Sequence, residues 1–281
     1  VRNISNMLIQ RIVTAAILVP LAVVAILYLP PSAAGLLFAV FLSIGVLEWG
    51  AITGLSQAQS RIAAIVFILL AIVLQSDFIS LEILSRLIVI AAATWALIAT
   101  LVIGGYRRSG EVLDTKIGRA AKSLLCCFIL LLGAYASSLK LLYIDAALLL
   151  LIFAVVWAAD IGAYFFGKKF GRRKLANKIS PGKTWEGVFG GLCASALTLV
   201  VGTYWMVLSL NQQLALLTLA LVAVCFSVFG DLFESLLKRS AGLKDSGSIL
   251  PGHGGVLDRV DGLIAALPIF SSGYFLWVMK L

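Results

Sequence analysis

The sequence predicts an all-α, polytopic integral membrane protein with about nine transmembrane helices. Of the 281 residues, 62% are hydrophobic and 12% are charged, whereas a soluble domain has about 45–50% apolar and about 25% charged residues. The apolar residues form continuous runs, such as 146–156, rather than the alternating pattern of barrel strands. These observations exclude a disordered chain, a disulfide-stapled mini-protein and an ordinary soluble enzyme.

Nine apolar runs approach the length that a membrane span requires. A helix crosses about 30 Å of hydrocarbon with about 20 residues at about 1.5 Å per residue. The runs cover approximately 12–29, 33–55, 62–79, 87–106, 120–139, 146–167, 187–210, 214–237 and 263–281. Nine spans place the two termini on opposite sides of the membrane.

The basic residues indicate which side is the cytoplasm. If the N-terminus is cytoplasmic, 19 of the 22 Lys and Arg residues face inward, and only Arg86, Lys140 and Lys280 face outward. This distribution follows the positive-inside rule. The net charge of +9 is therefore assigned to loops beside anionic headgroups, and no nucleic acid partner is expected.

The order of the runs divides the chain into three parts. We expect N-terminal membrane helices over 1–119, middle helices and a basic cytoplasmic loop over 120–186, and C-terminal catalytic helices over 187–281. The inside segment 167–187 carries seven basic residues and one acidic residue, and the inside segment 238–262 is polar and rich in glycine. Only one helical hairpin separates these two segments, so the fold can bring them together.

Besides Asp77, Lys122 and Lys280 near the ends of their runs, four charged residues lie within the apolar runs, namely Glu48, Asp160, Asp231 and Glu234. Each is expected to have a structural or functional role, because inserting an aspartate at the centre of a membrane span costs about 2.5–3.5 kcal/mol. Asp231, Glu234 and Ser235 are spaced to share one helical face. The alternative for Glu234 is that its side chain reaches the interface and has no other role.

Asp258 and Asp261 are three residues apart where the last helix begins. One interpretation is that they compensate the dipole of this helix. The other adds Asp231 from the neighbouring span, so that three carboxylates form an all-oxygen site suited to Mg²⁺.

The loop between the last two spans contains Pro-Gly-His-Gly-Gly at 251–255. Gly252, Gly254 and Gly255 have no Cβ, so their backbone N–H groups can form a concave site for phosphate oxygens. An ordinary turn is the alternative, and His253 can equally be an ordinary loop residue. The basic residues around this loop are Lys238, Arg239, Lys244 and Arg259.

These residues belong to a longer pattern that resembles a known family signature. Residues 235–261 read Ser-Leu-Leu-Lys-Arg, four residues, Lys-Asp-Ser-Gly, two residues, then Leu-Pro-Gly-His-Gly-Gly-Val-Leu-Asp-Arg-Val-Asp. This segment is similar to the complete signature of the phosphatidate cytidylyltransferase (CDP-diacylglycerol synthase) family. The segment 178–187, with Ser180, Lys183 and Thr184, resembles a second block of that family.

The resemblance implies an enzyme that converts CTP and phosphatidic acid into CDP-diacylglycerol and pyrophosphate with Mg²⁺. It further implies a bacterial cytoplasmic (inner) membrane protein whose active site faces the cytoplasm, among membrane lipids. The implied catalytic residues are Asp231, Lys238, Arg239, Lys244, His253, Asp258, Arg259 and Asp261. The implied substrate-binding residues are Ser180, Lys183, Thr184, Ser235, Gly252, Gly254 and Gly255.

Some details stay open at this level. Glu186 and Asp160 are further candidate ligands for the metal, and a second cation is an alternative to a single Mg²⁺. Small residues at 50–54 and 187–191 can serve either a homodimer interface or packing within the chain.

Three other functions account for part of the sequence at most. A secondary transporter would explain Asp160 and Asp231 but not the basic, glycine-rich loop. A CDP-alcohol phosphotransferase also uses acidic residues, but its longer aspartate pattern is represented only by the fragment 258–262. A scaffold needs neither the carboxylates nor the glycines.

Overall fold

The computed structural model describes residues 2–109, 120–204, 206, 208–250 and 254–280 and is built almost entirely of α-helices, which confirms the predicted fold class. The described elements are α1 Arg2–Tyr28, α2 Pro31–Ile52, α3 Gln57–Gln75, α4 Leu81–Ser109, α5 Ala120–Ile144, α6 Ala146–Phe170, β1 Lys174–Ala176, β2 Ser180–Thr184, α7 Trp185–Thr203, α8 Leu210–Ser240, α9 Leu257–Leu276 and a 3₁₀ turn Val278–Lys280.

The predicted spans correspond to these helices one by one. Among the described residues, seven helices, α2 to α8, are long and apolar enough to cross a membrane, and α1 has a shorter apolar stretch at Ala16–Tyr28. α7 ends at Thr203, earlier than the predicted 210. α9 begins at Leu257, earlier than the predicted 263, because a first turn with charged side chains is helical although hydropathy excludes it from the apolar run.

Local sequence signals explain several helix boundaries. Ser56 and Ser209 form capping boxes with Gln59 and Gln212 at the starts of α3 and α8, which satisfies backbone N–H groups that have no partner within the helix. Pro31 occupies the first turn of α2, where its missing N–H is not needed. The connections between these helices are therefore short and well defined.

A small β-hairpin joins α6 to α7. β1 and β2 are antiparallel, with Lys174 opposite Thr184 and Ala176 opposite Ser180. Hydropathy treats this segment only as a basic loop. The hairpin matters for function because β2 leads directly into α7 and fixes the direction of Lys183.

Many large apolar side chains are exposed on the outside of the helices, including Leu197 at 66% and Leu125 at 64%. Such a surface is unfavourable in water and suits hydrocarbon. The interior is a continuous cluster of buried apolar residues contributed by α1 to α9. The protein therefore combines a packed core with a lipid-compatible exterior.

Glycines allow α6 and α7 to approach each other closely. A Cβ on Gly162 would lie 2.6 Å from the Gly190 carbonyl oxygen, and a Cβ on Gly191 would lie 2.8 Å from the Ala159 carbonyl oxygen. Small residues permit such backbone contact between helices in membranes. The small-residue segment at 187–191 thus packs within the chain.

Glycines also allow α8 and α9 to pack closely. A Cβ on Gly230 would lie 2.5 Å from the Asp261 carbonyl oxygen, and a Cβ on Gly262 would lie 3.3 Å from Ser227 Cβ. This contact places the polar second half of α8 beside the charged first turns of α9. All the carboxylates of the predicted site therefore lie at one end of the bundle.

Candidate active site

The hairpin and the C-terminal helices meet at an ion pair. Lys183 Nζ on β2 lies 2.6 Å from Asp231 Oδ2 on α8. On the far side of the aspartate, Ser235 Oγ donates to Asp231 Oδ1 at 3.2 Å, as their spacing on one helical face predicts. Asp231 is therefore held between a cation from the basic segment and a hydroxyl of its own helix.

Thr184 and Glu186 hold the hairpin against α7. Thr184 Oγ1 accepts a hydrogen bond from the Gly187 N–H at 3.1 Å and so caps the helix. The Glu186 carboxylate accepts from the backbone N–H groups of Arg172 and Arg173 at 3.1 and 3.2 Å. Glu186, a candidate metal ligand from the sequence, is thus engaged by backbone N–H groups, and the hairpin that carries Lys183 is fixed at both ends.

Four carboxylates gather where α6, α8 and α9 meet. Asp160 interacts repulsively with Asp231 and is attracted by Lys183 and Arg259. Asp261 is repelled by both Asp231 and Glu234. A concentration of like charge in a membrane protein needs compensating cations.

Lys238 joins two further carboxylates in the interior. Its Nζ donates to Asp258 Oδ1 and lies 3.2 Å from Glu234 Oε2. The side chain of Glu234 is only 6% exposed, so Glu234 is not a residue that merely reaches the interface. Apart from the ion pair between Oε2 and Lys238, neither carboxylate oxygen of Glu234 has a hydrogen-bond partner among the described residues.

Asp258 binds the loop that precedes α9. Its Oδ2 accepts from the N–H groups of Ser246 and Gly255 at 2.9 and 2.8 Å, while Oδ1 faces Lys238. Among the described residues, no three His, Cys, Asp or Glu side chains form a group that could hold a metal ion. Asp231, Asp258 and Asp261 lie at the same end of the bundle, but Asp258 is directed at Lys238 and the loop.

The other predicted residues lie around this centre. Arg239 donates to the Leu243 carbonyl oxygen at 2.8 Å and closes the end of α8. Lys244 and Arg259 are exposed, and Ser180 pairs with Ala176 in the hairpin. Gly254 has a φ of +78°, which favours glycine. His253 and Gly252 lie outside the described residues.

Sequence reasoning gave no site role to Glu48, although the structure connects it to the signature segment. Glu48 lies near the end of α2, and its carboxylate accepts hydrogen bonds from Ser246, Val256 and Leu257. The sequence offers one signal for Glu48. A carboxylate within an apolar run is energetically unfavourable and therefore requires a compensating partner. The partners are two backbone N–H groups and the Ser246 hydroxyl, about 200 residues away, which no local pattern reveals.

A bundle of helices long and apolar enough to cross a membrane, with lysines, arginines and carboxylates gathered at one end, defines a polytopic membrane protein with a charged site. The chain belongs to the cytidylyltransferase family, whose model matches residues 9–277. The match includes the hairpin, the acidic cluster and the loop before α9.

Individual relatives agree with this family. The phosphatidate cytidylyltransferase of Pseudomonas aeruginosa is 42% identical over 273 residues, which are 96% of this chain and 97% of the relative. The phosphatidate cytidylyltransferase of Haemophilus influenzae is 36% identical over 291 aligned residues, with 96% and 99% covered. That of Staphylococcus haemolyticus is 46% identical over 123 residues, which are 44% of this chain and 47% of the relative.

The buried position of Lys238 leads to a stability prediction. Replacing Lys238 by Met leaves Glu234 and Asp258 without their shared cation, and we expect a loss of about 3–5 kcal/mol, as for other broken buried ion pairs. Arg239→Met is the matched control, because Arg239 is the exposed neighbour and should cost much less. Thermal unfolding in detergent measures both variants.

Adding Glu234→Gln to Lys238→Met removes one of the two uncompensated charges. The double variant should therefore be more stable than Lys238→Met alone. Equal unfolding midpoints for Lys238→Met and Arg239→Met would contradict the assigned role of the buried lysine.

Proposed function

We propose that this chain is a phosphatidate cytidylyltransferase, which converts CTP and phosphatidate into CDP-diacylglycerol and pyrophosphate for phospholipid synthesis. The observation that carries the proposal is the contact between Lys183 and Asp231. This contact joins a basic hairpin, suited to polyphosphate, to a carboxylate cluster, suited to a cation. The membrane setting gives the lipid substrate access to the same place.

The reaction joins two polyanions. An oxygen of the phosphatidate phosphate attacks the α-phosphorus of CTP, a new P–O bond forms, and the bond to the bridging oxygen breaks as pyrophosphate leaves with the electron pair. Positioning and charge compensation are the main requirements of such a transfer. We assign this compensation to Lys183 and to the exposed cations Arg239, Lys244 and Arg259.

The attacking phosphate needs no strong general base. The second pKa of a phosphate monoester is about 6, so phosphatidate is largely dianionic near neutral pH. His253 is therefore assigned as a hydrogen-bond donor to phosphate rather than as a proton acceptor. Gly252 and Gly254 are assigned backbone N–H groups that donate to the same phosphate oxygens, whereas the Gly255 N–H donates to Asp258.

The carboxylates suit a hard divalent cation. Glu234 Oε1 is buried without a hydrogen-bond partner among the described residues, and Asp261 is repelled by Asp231 and Glu234; a bound cation would relieve both. We propose that Asp231 and Asp261 hold Mg²⁺, with Asp160 nearby, and that Asp258 joins them once its Oδ1 is released from Lys238. When bound, this ion would neutralise phosphate charge and orient the reacting groups.

A groove beside the hairpin suits the lipid. It has a volume of about 650 Å³, and its lining includes Phe166, Phe170 and Phe189 together with Arg172 and Arg173. Aromatic rings pack against acyl chains, and guanidinium groups bind phosphate. We propose that phosphatidate approaches the site along this side of α6 and α7.

The first test identifies the products. Purified protein with CTP, phosphatidate and Mg²⁺ should release one pyrophosphate for each CDP-diacylglycerol, and EDTA should abolish both products. Radiolabelled CTP and a pyrophosphate assay measure this ratio. Release of CMP from CDP-diacylglycerol and an added alcohol, without pyrophosphate from CTP, would instead indicate a CDP-alcohol phosphotransferase.

The second test concerns the acidic residues. Asp231→Asn, Asp258→Asn and Asp261→Asn should each lower turnover roughly ten- to a hundredfold, because a charged ligand or charge-assisted hydrogen bond is lost. Asp77→Asn is the matched control on the exposed loop between α3 and α4. Turnover at increasing Mg²⁺ is measured, and near-normal activity removes that residue from the proposed metal site.

The third test concerns sidedness. We propose that the hairpin and the loop before α9 face the cytoplasm of a bacterial cell and lie at its inner membrane. In a cysteine-free variant, Ser248→Cys should resist an impermeant thiol reagent in intact cells, while Gln213→Cys should react. Both positions are exposed in the structure, so the reverse labelling would place the site on the wrong side for CTP.

A further inference from the structure

We propose that Glu48 is a positioning residue for the active site, which holds the loop before α9 in its working geometry. A change in activity tests this role only if the proposed function holds. Glu48 belongs to α2, far from the signature segment in sequence, and contributes none of the carboxylates assigned to the metal.

The carboxylate of Glu48 caps α9 from a different helix. Oε1 accepts from the Val256 N–H at 2.9 Å, and Oε2 accepts from the Leu257 N–H at 2.9 Å. α9 has no side-chain cap of its own at Val256. An anionic group at a helix N-terminus satisfies free N–H groups and complements the helix dipole.

The same carboxylate fixes the loop. Ser246 Oγ donates to Glu48 Oε2 at 2.9 Å, while the Ser246 N–H donates to Asp258 Oδ2 at 2.9 Å. Ser246 is therefore held on one side by α2 and on the other by α9. Because Asp258 also binds Lys238, a displacement of Ser246 would disturb the central ion pairs.

The loop leaves space for this carboxylate. A Cβ on Gly247 would lie 2.6 Å from Glu48 Oε1, and a Cβ on Gly255 would lie 2.5 Å from Glu48 Oε2. Neither residue is among the described glycines with positive φ. The absence of a side chain is thus explained at Gly247 by the room that Glu48 needs and at Gly255 by the room that Glu48 and the Ser246 hydroxyl, which would lie even closer to that Cβ, both need; it is not explained by the backbone conformation.

Three hydrogen-bond donors, rather than a cation, compensate the charge of Glu48. The residue is 5% exposed, and among the described residues it forms no salt bridge. A buried charge of this kind is costly unless hydrogen bonds compensate it. All three hydrogen bonds come from residues 246–257, so Glu48 and this segment are arranged for each other.

The test compares Glu48→Gln with Glu82→Gln. The first variant places an amide NH₂ group, which cannot accept, against N–H and O–H donors. We expect kcat per folded molecule to fall roughly ten- to a hundredfold, the Mg²⁺ concentration for half-maximal activity to rise and the KM for CTP to change little, with a lower unfolding midpoint because buried donors lose their acceptor. Among the residues that the structure describes, Glu82 pairs with Arg86 alone, at the exposed start of α4, so its variant should behave as wild type.

Two further variants test the contact itself. Glu48→Asp keeps the charge and should retain more activity than Glu48→Gln. Gly247→Ala crowds the Glu48 carboxylate and should lower kcat in the wild-type background, but it should add little loss in the Glu48→Asp background. Such non-additivity is expected only for residues in contact.

Hydrogen exchange separates this proposal from the proposed function. Without substrates, peptides that contain Ser246, Val256 and Leu257 should exchange faster in Glu48→Gln than in Glu82→Gln. If wild-type protein makes no CDP-diacylglycerol, the proposed function fails, and the exchange rates still test the loop contact. Unchanged exchange, unchanged kcat, or loss of activity only in proportion to unfolded protein would overturn the positioning role.

Discussion

A lysine buried between two carboxylates supports the end of the bundle that carries the site. Lys238 contacts Glu234 on its own helix and Asp258 on α9, and all three side chains are less than a tenth exposed. Removing charges from water is costly, and only close pairing offsets the cost. The relative position of α8 and α9 therefore follows from the need to pair these charges.

Close helix packing makes this pairing possible. In lipid, association between helices relies on van der Waals contact and hydrogen bonds rather than on the hydrophobic effect. Gly230 lets α8 approach the Asp261 carbonyl oxygen, and Gly162 lets α6 approach α7. The first contact sets the position of Asp231 and Glu234 beside Asp261, and the second supports the hairpin that presents Lys183.

Glu48, in the N-terminal part of the chain, is another buried charge that close partners compensate. Its charge is satisfied by backbone groups at the start of α9 and by a loop hydroxyl. The N-terminal helices are thus more than a membrane anchor, because α2 contributes a bond to the loop that leads into the site. Glu48, in the first third of the chain, therefore helps to hold the signature segment 235–261 in place.

Much of the fold was predictable, because hydropathy is a strong local signal. Each of the nine apolar runs corresponds to a helix, and the family follows from residues 235–261. The hairpin between α6 and α7 was not predicted, since its strands are three and five residues long and lie in a segment dominated by charge. Hydropathy also predicts the start of α9 too late, at 263 instead of Leu257, because it does not recognise a charged first turn as helical.

The sequence by itself determined the membrane class, the family and which residues can take part in catalysis or binding, because composition and a contiguous motif are properties of the chain. It also placed Asp231 and Ser235 on one helical face, where they are hydrogen-bonded. Only the tertiary structure decided that Lys183 pairs with Asp231, that Asp258 faces Lys238 and the loop, and that Glu48 caps α9. These partners are brought together by helix packing across as many as 209 residues, and the choice among competing charges depends on distance and burial, which no local pattern contains.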